Sequence, residues 1–371
     1  MKIRRIEPVA ISLPMAKPIR MSFEEVRSAE NVLARLETDE GVVGWGGAAT
    51  APTMTGETVA SMAAAIRLLA PRLEGMPLDD IAAVMARAGN FLYGNLSAKS
   101  VIEMALHDAL GRAQGRPAHD LLGGGSRRGR VAVLRMVGTG KGTAADVADA
   151  QRGREEGFVA FKIKVGVAAP RADADRTRSI CEALDGDGRL LICADANQGW
   201  TRQEAIEYVR AVESTPLAYF EQPVAAHDIE GMAAVARASR VKIGCDEGLH
   251  SLDDLRRHHE AGAASGFSLK TIKLGGMKPV MEAGLLCETL GLKVNLASKM
   301  AETGVSTAAL LQLAAALPAV DWGVGLSSPY LTDDILKQPI TVSDGHVTVP
   351  TGPGLGIEVD EAMVRRYARE A

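Results

Sequence analysis

Six charged residues stand out because each lies in, or at the end of, a short apolar segment typical of a buried strand. They are Lys162, Lys164, Asp195, Glu221, Asp246 and Lys270. Uncompensated charge is costly to bury, so lone ions seldom occupy such segments. Three acids and three lysines can compensate one another, above all when a divalent cation joins them. We therefore expect these side chains to form an active site.

The three acids are regularly spaced. Asp195, Glu221 and Asp246 lie 26 and 25 residues apart, which is about one strand plus one helix in each case. In a parallel barrel this spacing places them on adjacent strands, at the carboxyl-terminal face where barrel active sites form. Carboxylate oxygens suit a hard cation such as Mg²⁺, with Mn²⁺ as a substitute. A single acid at a strand end could be an ordinary helix cap, but three in register favour a metal site.

The lysines alternate with apolar neighbours. Lys162 and Lys164 are two residues apart and point the same way along a strand, which we expect to be into the mouth of a barrel. Their repulsion and desolvation predict a lowered lysine pKa, as a general base requires. An exposed edge strand is the alternative. Lys270 follows Asp246 by 24 residues, so we expect it across the barrel from Lys164, while Lys273 is the weaker candidate.

The elements that would position these residues fall into two kinds. The first fifty residues are typical of antiparallel strands, with a hairpin at residues 39–41, and a helix is predicted from an N-cap at Ser97 to a stop at Gly115. From Val131 onward, strand-like runs recur every 24 to 31 residues, mostly with helical patterns between them. Eight such runs predict a (β/α) barrel, with a doubly wound sheet as the alternative. The helix after Pro329 is weak or missing.

The two ends and the linker complete the domain prediction. Residues 1–128 are predicted to form an α+β capping domain, 129–335 the barrel, and 336–371 a tail with a hairpin at Asp344 and Gly345 that returns to the capping domain. The run GGGSRR at 123–128 follows a helix and lacks a GKS or GKT ending. A flexible linker is therefore favoured over a phosphate-binding loop.

Bulk properties exclude several classes of partner. A net charge of −4 over 371 residues gives no electrostatic case for nucleic acid or an anionic membrane, and the basic run at 127–130 reads as a solvated connector. The absence of a signal-peptide pattern and of an eighteen-residue apolar run predicts a cytoplasmic protein. Four scattered cysteines without a CxxC pair predict free thiols.

The motifs around the charged residues resemble those of the enolase superfamily, specifically its muconate-lactonising subgroup, over essentially the whole chain. The matching pieces are KIK, DAN, EQP, DEG, LKTIKLGG and KMAET, with GWG near the start and GPGLGI near the end. The resemblance implies an α/β protein with a modified (β/α)₇β TIM-like barrel. It also implies an α+β capping domain formed by the N-terminal segment and the C-terminal tail.

The same resemblance implies roles for the six residues. Mg²⁺ would be held by Asp195, Glu221 and Asp246. Lys164 and Lys270 would be the acid/base pair, and Lys162 would tune Lys164 and help neutralise the substrate carboxylate.

The chemistry that this implies is removal of a proton α to a carboxylate through an enediolate, the arrangement typical of enolase-superfamily sites. Racemisation, epimerisation and cycloisomerisation all use it. The resemblance thus implies a small-molecule carboxylate substrate, and we expect a homo-oligomer. A syn-β-elimination, a Schiff-base lysine aldolase and a non-catalytic binding protein are the alternatives.

Departures from the family pattern count against mandelate racemase and dipeptide epimerase activities. The seventh-strand segment KVNLASKM lacks the histidine of mandelate-type relatives, and WGVGLSSP lacks the Asp-x-Asp pair of dipeptide epimerases. Gly47 stands where relatives carry a glutamate. Asn197 and Glu247 are candidates to orient the metal ligands, and Glu302 to lie near substrate, whereas Lys299 reads as a solvated loop lysine rather than a contact for a second carboxylate. Substrate choice is expected in the loops at 15–22 and 50–56.

Overall fold

The computed structural model describes residues 1–20, 25–138, 140–184 and 188–370. Its N-terminal part is an antiparallel sheet of β1 (Ile3–Arg20), β2 (Glu25–Thr38) and β3 (Val43–Ala49), with the predicted hairpin between the last two strands. Near the C-terminus, β14 (Ala368–Arg369) pairs with β1. The end of the chain therefore contacts the first sheet.

Four helices follow this sheet: α1 (Val59–Leu73), α2 (Ile81–Phe91), α3 (Leu96–Gln114) and α4 (Ala118–Leu121). Helix α3 packs against β3 so closely that a Cβ atom at Gly46 would lie 1.9 Å from the carbonyl oxygen of Val101. The predicted N-cap at Ser97 is wrong, because α3 already begins at Leu96. The carboxylate of Glu57 accepts the amide of Ser97 at 2.8 Å, so a distant side chain does the capping.

The second part is a closed barrel of eight parallel strands. In chain order the strands are β5 (Leu134–Val137), β6 (Ala160–Lys164), β7 (Leu191–Asp195), β8 (Leu217–Glu221), β9 (Lys242–Cys245), β10 (Gly266–Leu269), β11 (Lys293–Ala297) and β12 (Val324–Gly325). Each pairs with the next, and a bridge from Val133 to Val324 brings the two ends together. This order excludes the doubly wound alternative and confirms the predicted barrel.

Helices connect the first seven of these strands to their successors. They are α5 (Thr143–Glu155), α6 (Pro170–Leu184), α7 (Arg202–Ala211), α8 (Ile229–Arg237), α9 (Leu252–Glu260), α10 (Thr271–Leu274), α11 (Met277–Thr289) and α12 (Gly304–Ala316). After β12 only a short 3₁₀ turn forms at Ser328–Tyr330, so the eighth unit lacks its helix, as a (β/α)₇β barrel requires. The last helix, α13 (Glu361–Tyr367), belongs to the tail.

The beginning of the barrel contains one more strand than the sequence pattern predicts. The run at Val131 divides into β4 (Arg130–Ala132) and the true barrel strand β5. Strand β4 pairs with β13 (His346–Thr348), which follows the predicted turn at residues 344 and 345. Thus part of the tail contacts β4, while later tail residues contact the N-terminal part: Leu355 and Ile357 bond to α3, and β14 pairs with β1.

The linker is anchored at Arg128, whereas Arg127, Gly129 and Arg130 are exposed, in agreement with a solvated connector. The guanidinium of Arg128 donates hydrogen bonds to the carbonyl oxygens of Ala314, Leu317 and Pro318, at 2.9, 2.6 and 2.7 Å. These carbonyls lie at and beyond the C-terminal end of α12, where helix carbonyls lack partners and a cation is favourable. All four cysteines are buried and free, as predicted. No helix in the described residues has the length and apolar character needed to cross a membrane.

Candidate active site

The site stands on an apolar floor inside the barrel. Side chains alternate along a strand, so the residues two positions before the charged ones also face inward. On three neighbouring strands these are Ala160, Cys193 and Tyr219, which cluster with Trp322. The rings of Tyr219 and Trp322 stack at 4.0 Å between centroids. The floor closes the barrel from below, so the charged layer opens only toward the carboxyl-terminal face.

The three acids form the centre of the charged layer. Asp195 and Glu221 are direct neighbours in the register of β7 and β8, and Asp246 directly follows β9. Each of the three residues is only 1% exposed. The parallel register therefore brings together the carboxylates that the sequence spacing predicted to be adjacent.

Both lysines of β6 point into the barrel, which excludes the edge-strand alternative. The ammonium group of Lys162 lies 2.7 Å from Glu221 Oε2 and 3.9 Å from Asp195 Oδ2. Lys164 donates to Asp195 Oδ2 at 2.6 Å. Their apolar neighbours Phe161 and Ile163 are buried in the core on the other face. The alternation of charged and apolar residues thus fixes the direction of both lysines.

Two more lysines approach Asp246 from the opposite side. Lys270 donates to Asp246 Oδ2 at 2.5 Å, and Lys273 lies 2.6 Å from Asp246 Oδ1. Strand β10, which leads to Lys270, is four strands away from β6 in the eight-stranded order. Lys164 and Lys270 therefore flank the acids from opposite sides of the barrel. Lys273 lies behind Asp246 and is completely buried.

The pKa of Lys162 moves opposite to the expected direction, and the pKa of Lys270 is raised too. Burial alone would lower the pKa of Lys162, but the carboxylates of Glu221 and Asp195 more than offset it and raise the pKa. Burial would also lower the pKa of Lys270, but the carboxylates of Asp246 and Glu247 outweigh this effect, so the pKa of Lys270 is raised as well. The expectation counted the repulsion between lysines and omitted the carboxylates that lie beside Lys162.

The neighbouring ammonium groups and burial also shift the pKa values of the three acids. Burial favours protonation of Asp246, but the ammonium groups of Lys270 and Lys273 hold its pKa well below the usual range. The pKa of Asp195 is also lowered, because Lys164 and Lys162 outweigh burial. Glu221 has a raised pKa, because burial and the neighbouring Asp195 outweigh Lys162.

A second layer of polar side chains orients the acids. The backbone amide of Asn197 donates to Asp195 Oδ1 at 2.9 Å, and its side-chain amide donates to Glu247 Oε1 at 3.0 Å. Burial and the negative charge of Asp246 raise the pKa of Glu247 to about 7. Gln222, which the sequence reading missed, accepts the amide of Asp246 at 2.9 Å. Its signal was the polar residue inside the EQP motif.

Two of these orienting residues hold unusual backbone conformations. Asn197 has φ 43° and Gln222 has φ 37°. Left-handed conformations cost free energy for residues other than glycine and persist where the surroundings enforce them. Both residues directly contact or follow a carboxylate of the site. The surrounding structure therefore holds both residues in strained conformations that place those carboxylates.

Glu302 and Lys299 lie on the loop after β11, and both are buried. Glu302 is 3% exposed, and burial raises its pKa to about 8. Lys299 is 6% exposed and lines the cavity above the acids. The interpretation of Lys299 as a solvated loop lysine is therefore wrong.

The capping domain supplies one edge of the cavity. Thr53 and Met54, from the predicted specificity loop at 50–56, line it together with the charged residues. The sulfur of Met54 lies 4.0 Å from the ammonium group of Lys270. Residues 21 and 22 of the other predicted loop lie outside the described residues. Nothing in the structure accounts for glycine at position 47 in place of a glutamate, although a Cβ atom there would lie 2.8 Å from Leu33.

The three acids have the donor atoms and the strand positions that a divalent-cation site requires. Three buried carboxylates are the donor set that Mg²⁺ takes from proteins, with room for water and substrate oxygens. In the described part of the chain, however, no three His, Cys, Asp or Glu side chains are arranged as a ready metal cluster. The ammonium groups lie among the carboxylates instead, as Lys162 does between Glu221 and Asp195. Binding a cation thus requires these oxygens to exchange an ammonium partner for the ion.

The barrel, capping domain and charged cluster are typical of enzymes whose active site lies at the carboxyl-terminal mouth of a (β/α)₇β barrel. Comparison with known families supports this class. Residues 145–363 match the family model described as enolase C-terminal domain-like. Residues 5–123 match the N-terminal domain of the mandelate racemase and muconate lactonizing enzymes.

Individual relatives match over nearly the whole chain. A chloromuconate cycloisomerase of Cupriavidus pinatubonensis is 34% identical over 97% of this chain and 96% of its own length. The muconate lactonizing enzyme of Pseudomonas fluorescens, solved with muconolactone, superposes with a TM-score of 0.93, 30% identity and 99% coverage of both chains.

A dipeptide epimerase of Cytophaga hutchinsonii, solved with Mg and a dipeptide, superposes with a TM-score of 0.92 at 25% identity, covering 100% of this chain and 99% of its own. The present chain belongs to the enolase superfamily, in the muconate lactonizing subgroup, and is an isomerase of that superfamily.

Proposed function

We propose that this isomerase removes the proton α to a substrate carboxylate, in a Mg²⁺-dependent reaction that Mn²⁺ also supports. The observation that carries the proposal is the placement of Lys164 and Lys270 on opposite sides of three buried carboxylates. A substrate carbon held between them can lose a proton to one lysine and gain one from the other. Both operations are steps of general acid–base catalysis.

Asp195, Glu221 and Asp246 would hold the cation. When bound, it would supply positive charge to the substrate carboxylate and take up carboxylate oxygens that otherwise raise the lysine pKa. The rest of the chemistry falls to the chain itself. Lys162, buried beside Glu221, contributes a second positive charge next to the substrate carboxylate.

For racemisation or epimerisation, both lysines take part. A neutral lysine accepts the α-proton, and the electron pair of the broken C–H bond moves onto the carboxylate to give an enediolate. The opposite lysine, as an ammonium ion, returns a proton to the other face and inverts the centre. The presence of both Lys164 and Lys270 supports this reaction.

For cycloisomerisation, one lysine suffices. A carboxylate oxygen of a diene diacid adds to a double bond, the electron pair moves to the other carboxylate as an enediolate, and a lysine protonates the α-carbon. The names of the relatives support this second candidate, since chloromuconate cycloisomerase and muconate lactonizing enzyme are among them.

Exchange of the α-proton in D₂O tests the proposal and separates the two candidates. The protein with Mg²⁺ is incubated with acid sugars, N-acyl amino acids and muconates, and deuterium is followed by NMR. Deuterium in both enantiomers indicates racemisation, and deuterium in a lactone indicates cycloisomerisation. Activity that persists in EDTA, or a substrate trapped on a lysine by borohydride, would instead support the Schiff-base alternative.

A further inference from the structure

The backbone at the end of β6 is held by a side chain of the helix that follows it. Lys164 is the last residue of this strand. Among the described residues, the register of β5 with β6 ends one position earlier, at Val137 opposite Ile163. The guanidinium of Arg176, on α6, donates a hydrogen bond to the backbone carbonyl oxygen of Lys164. A side chain therefore supports β6 at the point where its pairing with β5 has ended.

The same helix also holds the residue two positions further on. Asp173 Oδ2 accepts the backbone amide of Gly166 at 2.9 Å, and its Oδ1 accepts Arg176 at 2.8 Å. Between these two contacts, the amide of Val165 donates to the backbone carbonyl oxygen of Asp195 at 2.9 Å. All three successive residues at this strand end therefore have a backbone group in a hydrogen bond.

Arg176 also reaches the helix that precedes β6. It donates to Asp146 Oδ2, on α5, at 2.7 Å, and both Asp146 and Asp173 are 2% exposed. A planar guanidinium carries a fork of N–H donors, so it can bind two carboxylates and a carbonyl oxygen at once, which a compact ammonium group does less well. Arg176 therefore fixes the end of β6 against both helices that flank this strand in the chain.

The backbone of Lys270 is held in a different way. Its carbonyl oxygen accepts the backbone amides of Lys273 and Leu274, both at 3.3 Å, where α10 begins. Backbone groups of the next turn therefore hold Lys270, whereas a side chain of a separate element holds Lys164. A substitution at Arg176 should consequently loosen one of the two lysines and leave the other in place.

We propose that Arg176 is a positioning residue for Lys164. The inference rests on the proposed function, in which Lys164 is one of the two lysines that exchange a proton with the α-carbon of the substrate. A misplacement of about 1 Å can lower the rate of such a step about 100-fold. The hydrogen bond from Lys164 to Asp195 does not secure this placement, since the same carboxylate is a proposed ligand of the cation. The long side chain of Lys164 is then placed by the backbone that carries it.

Hydrogen exchange of backbone amides tests this anchor without a substrate. The amide of Val165 belongs to the same peptide group as the carbonyl of Lys164. In Arg176→Met this amide should exchange with D₂O about tenfold faster than in wild type, measured by NMR, because a charge-assisted hydrogen bond is lost. The amide of Leu269, beside Lys270, should exchange as in wild type.

Kinetics test the consequence for Lys164. With a substrate found by the α-proton exchange described above, Arg176→Met should lower kcat about 10-fold to 100-fold and change KM less than about threefold, because the groups that bind the substrate remain. Arg176→Lys should keep part of the rate, since it retains the charge without the fork of donors. When Lys164 is already replaced by alanine, Arg176→Met should have no additional effect, because a residue that acts through Lys164 has nothing left to position.

Arg178 provides the matched control. It lies on the same helix, and its guanidinium donates to the backbone carbonyl oxygen of Ala211 at 2.8 Å and to the carboxylate of Asp175. Arg178→Met removes an equivalent pair of contacts away from β6, so both kcat and amide exchange at that strand should stay as in wild type. The double variant Asp146→Asn/Arg176→Met removes a negative charge together with the positive one. It guards against a single variant that fails to fold, and it should lose the same fraction of kcat.

Three results would overturn the proposal: amide exchange at the end of β6 that stays as in wild type, an equal loss of kcat in Arg178→Met, or a full loss of kcat from Arg176→Met in the Lys164→Ala background. Failure of the proposed function looks different. In that case Lys164→Ala itself keeps the wild-type rate, or no acid exchanges its α-proton in D₂O. Faster amide exchange in Arg176→Met would then still establish Arg176 as the anchor of β6.

Discussion

Lys273 and Asp246 form an ion pair with 2.6 Å between Nζ and Oδ1, and their side chains are 0% and 1% exposed. Lys273 also donates to the backbone carbonyl oxygens of Asp246 and Ser268. Its ammonium group therefore has protein acceptors on several sides and does not face the cavity. Lys273 holds Asp246 in place, whereas Lys270 binds the other carboxylate oxygen from the cavity side.

Replacement of Lys273 by methionine should destabilise the protein by about 3 kcal/mol, because it leaves a buried carboxylate with one ammonium partner fewer. The free energy of unfolding in urea measures this loss. Lys293→Met is the matched control, since Lys293 pairs with Asp321 at 3.0 Å on the surface and should cost less than about 1 kcal/mol. Equal effects of the two substitutions would contradict a special role for the buried pair.

Replacement of Lys164 or Lys270 by alanine should reduce turnover by at least about 100-fold, the usual contribution of a general acid or base. The fold and Mg²⁺ binding should persist, because all three acids remain. Circular dichroism, calorimetry with Mg²⁺ and a turnover assay measure the three properties separately. A wild-type rate in either variant would refute the acid/base assignment.

Asp195→Asn should weaken Mg²⁺ binding by at least about tenfold, because an amide oxygen replaces an anionic ligand. The rise in melting temperature on addition of Mg²⁺ reports the change without any substrate. Asp321→Asn, at a partly exposed aspartate outside the site, provides the comparison. If both variants respond to Mg²⁺ as wild type does, Asp195 is not a ligand.

Glu302 should make stability depend on pH. Burial raises its folded-state pKa to about 8 from an ordinary value of 4.5, so between these values the folded state keeps a proton that the unfolded state has released. Stability must then fall as pH rises through this window, by about 4 kcal/mol at most. Comparison of wild type with Glu302→Gln in urea at about pH 5 and about pH 8.5 isolates this effect.

The glutamine variant should lack this part of the pH dependence and gain on wild type at the higher pH. Glu260→Gln, at an exposed glutamate, should follow wild type at both values. A constant difference in stability between Glu302→Gln and wild type across the window would mean that the carboxyl of Glu302 is ionised in the folded protein.

Gly46→Ala should destabilise the capping domain by about 3 kcal/mol or more, because the new methyl group would overlap the backbone of α3 at Val101. Gly89→Ala provides a control that should raise stability instead of lowering it. Gly89 lies exposed within α2 and a Cβ atom there meets no neighbour, so the substitution should stabilise by up to about 1 kcal/mol. Thermal unfolding distinguishes the two, and a neutral Gly46→Ala would contradict the close packing of α3 on β3.

The order and register of the barrel could be predicted because they depend on repetition. Strand-like runs at regular spacing, and charges that alternate with apolar neighbours, placed Lys162, Lys164 and the three acids at one end of the barrel. These features need only the periods of strands and the topology of βα units. The motifs supplied the family, which the family models confirm.

Features that depend on which side chains meet could not be predicted in this way. The direction of the lysine pKa follows from the partner of each ammonium group, and the burial of Lys299 follows from the loop around it. Likewise, Arg128 binds carbonyls at α12, and Glu57 caps α3 from forty residues away in the sequence. Such contacts are set by tertiary packing, which local patterns do not encode.

Glu103, on α3 of the capping domain, accepts the amides of Met277 and Lys278 at 2.7 and 2.9 Å, at the first turn of α11 in the barrel. Glu103 is buried beside His107. Its interactions with His107 and with the two amides hold the pKa of Glu103 below its ordinary value despite the burial. In a fragment that begins after residue 128, the amides of Met277 and Lys278 at the start of α11 would lack their hydrogen-bond acceptor. The capping domain and the barrel should therefore unfold in one transition, and neither should fold stably when it is produced alone.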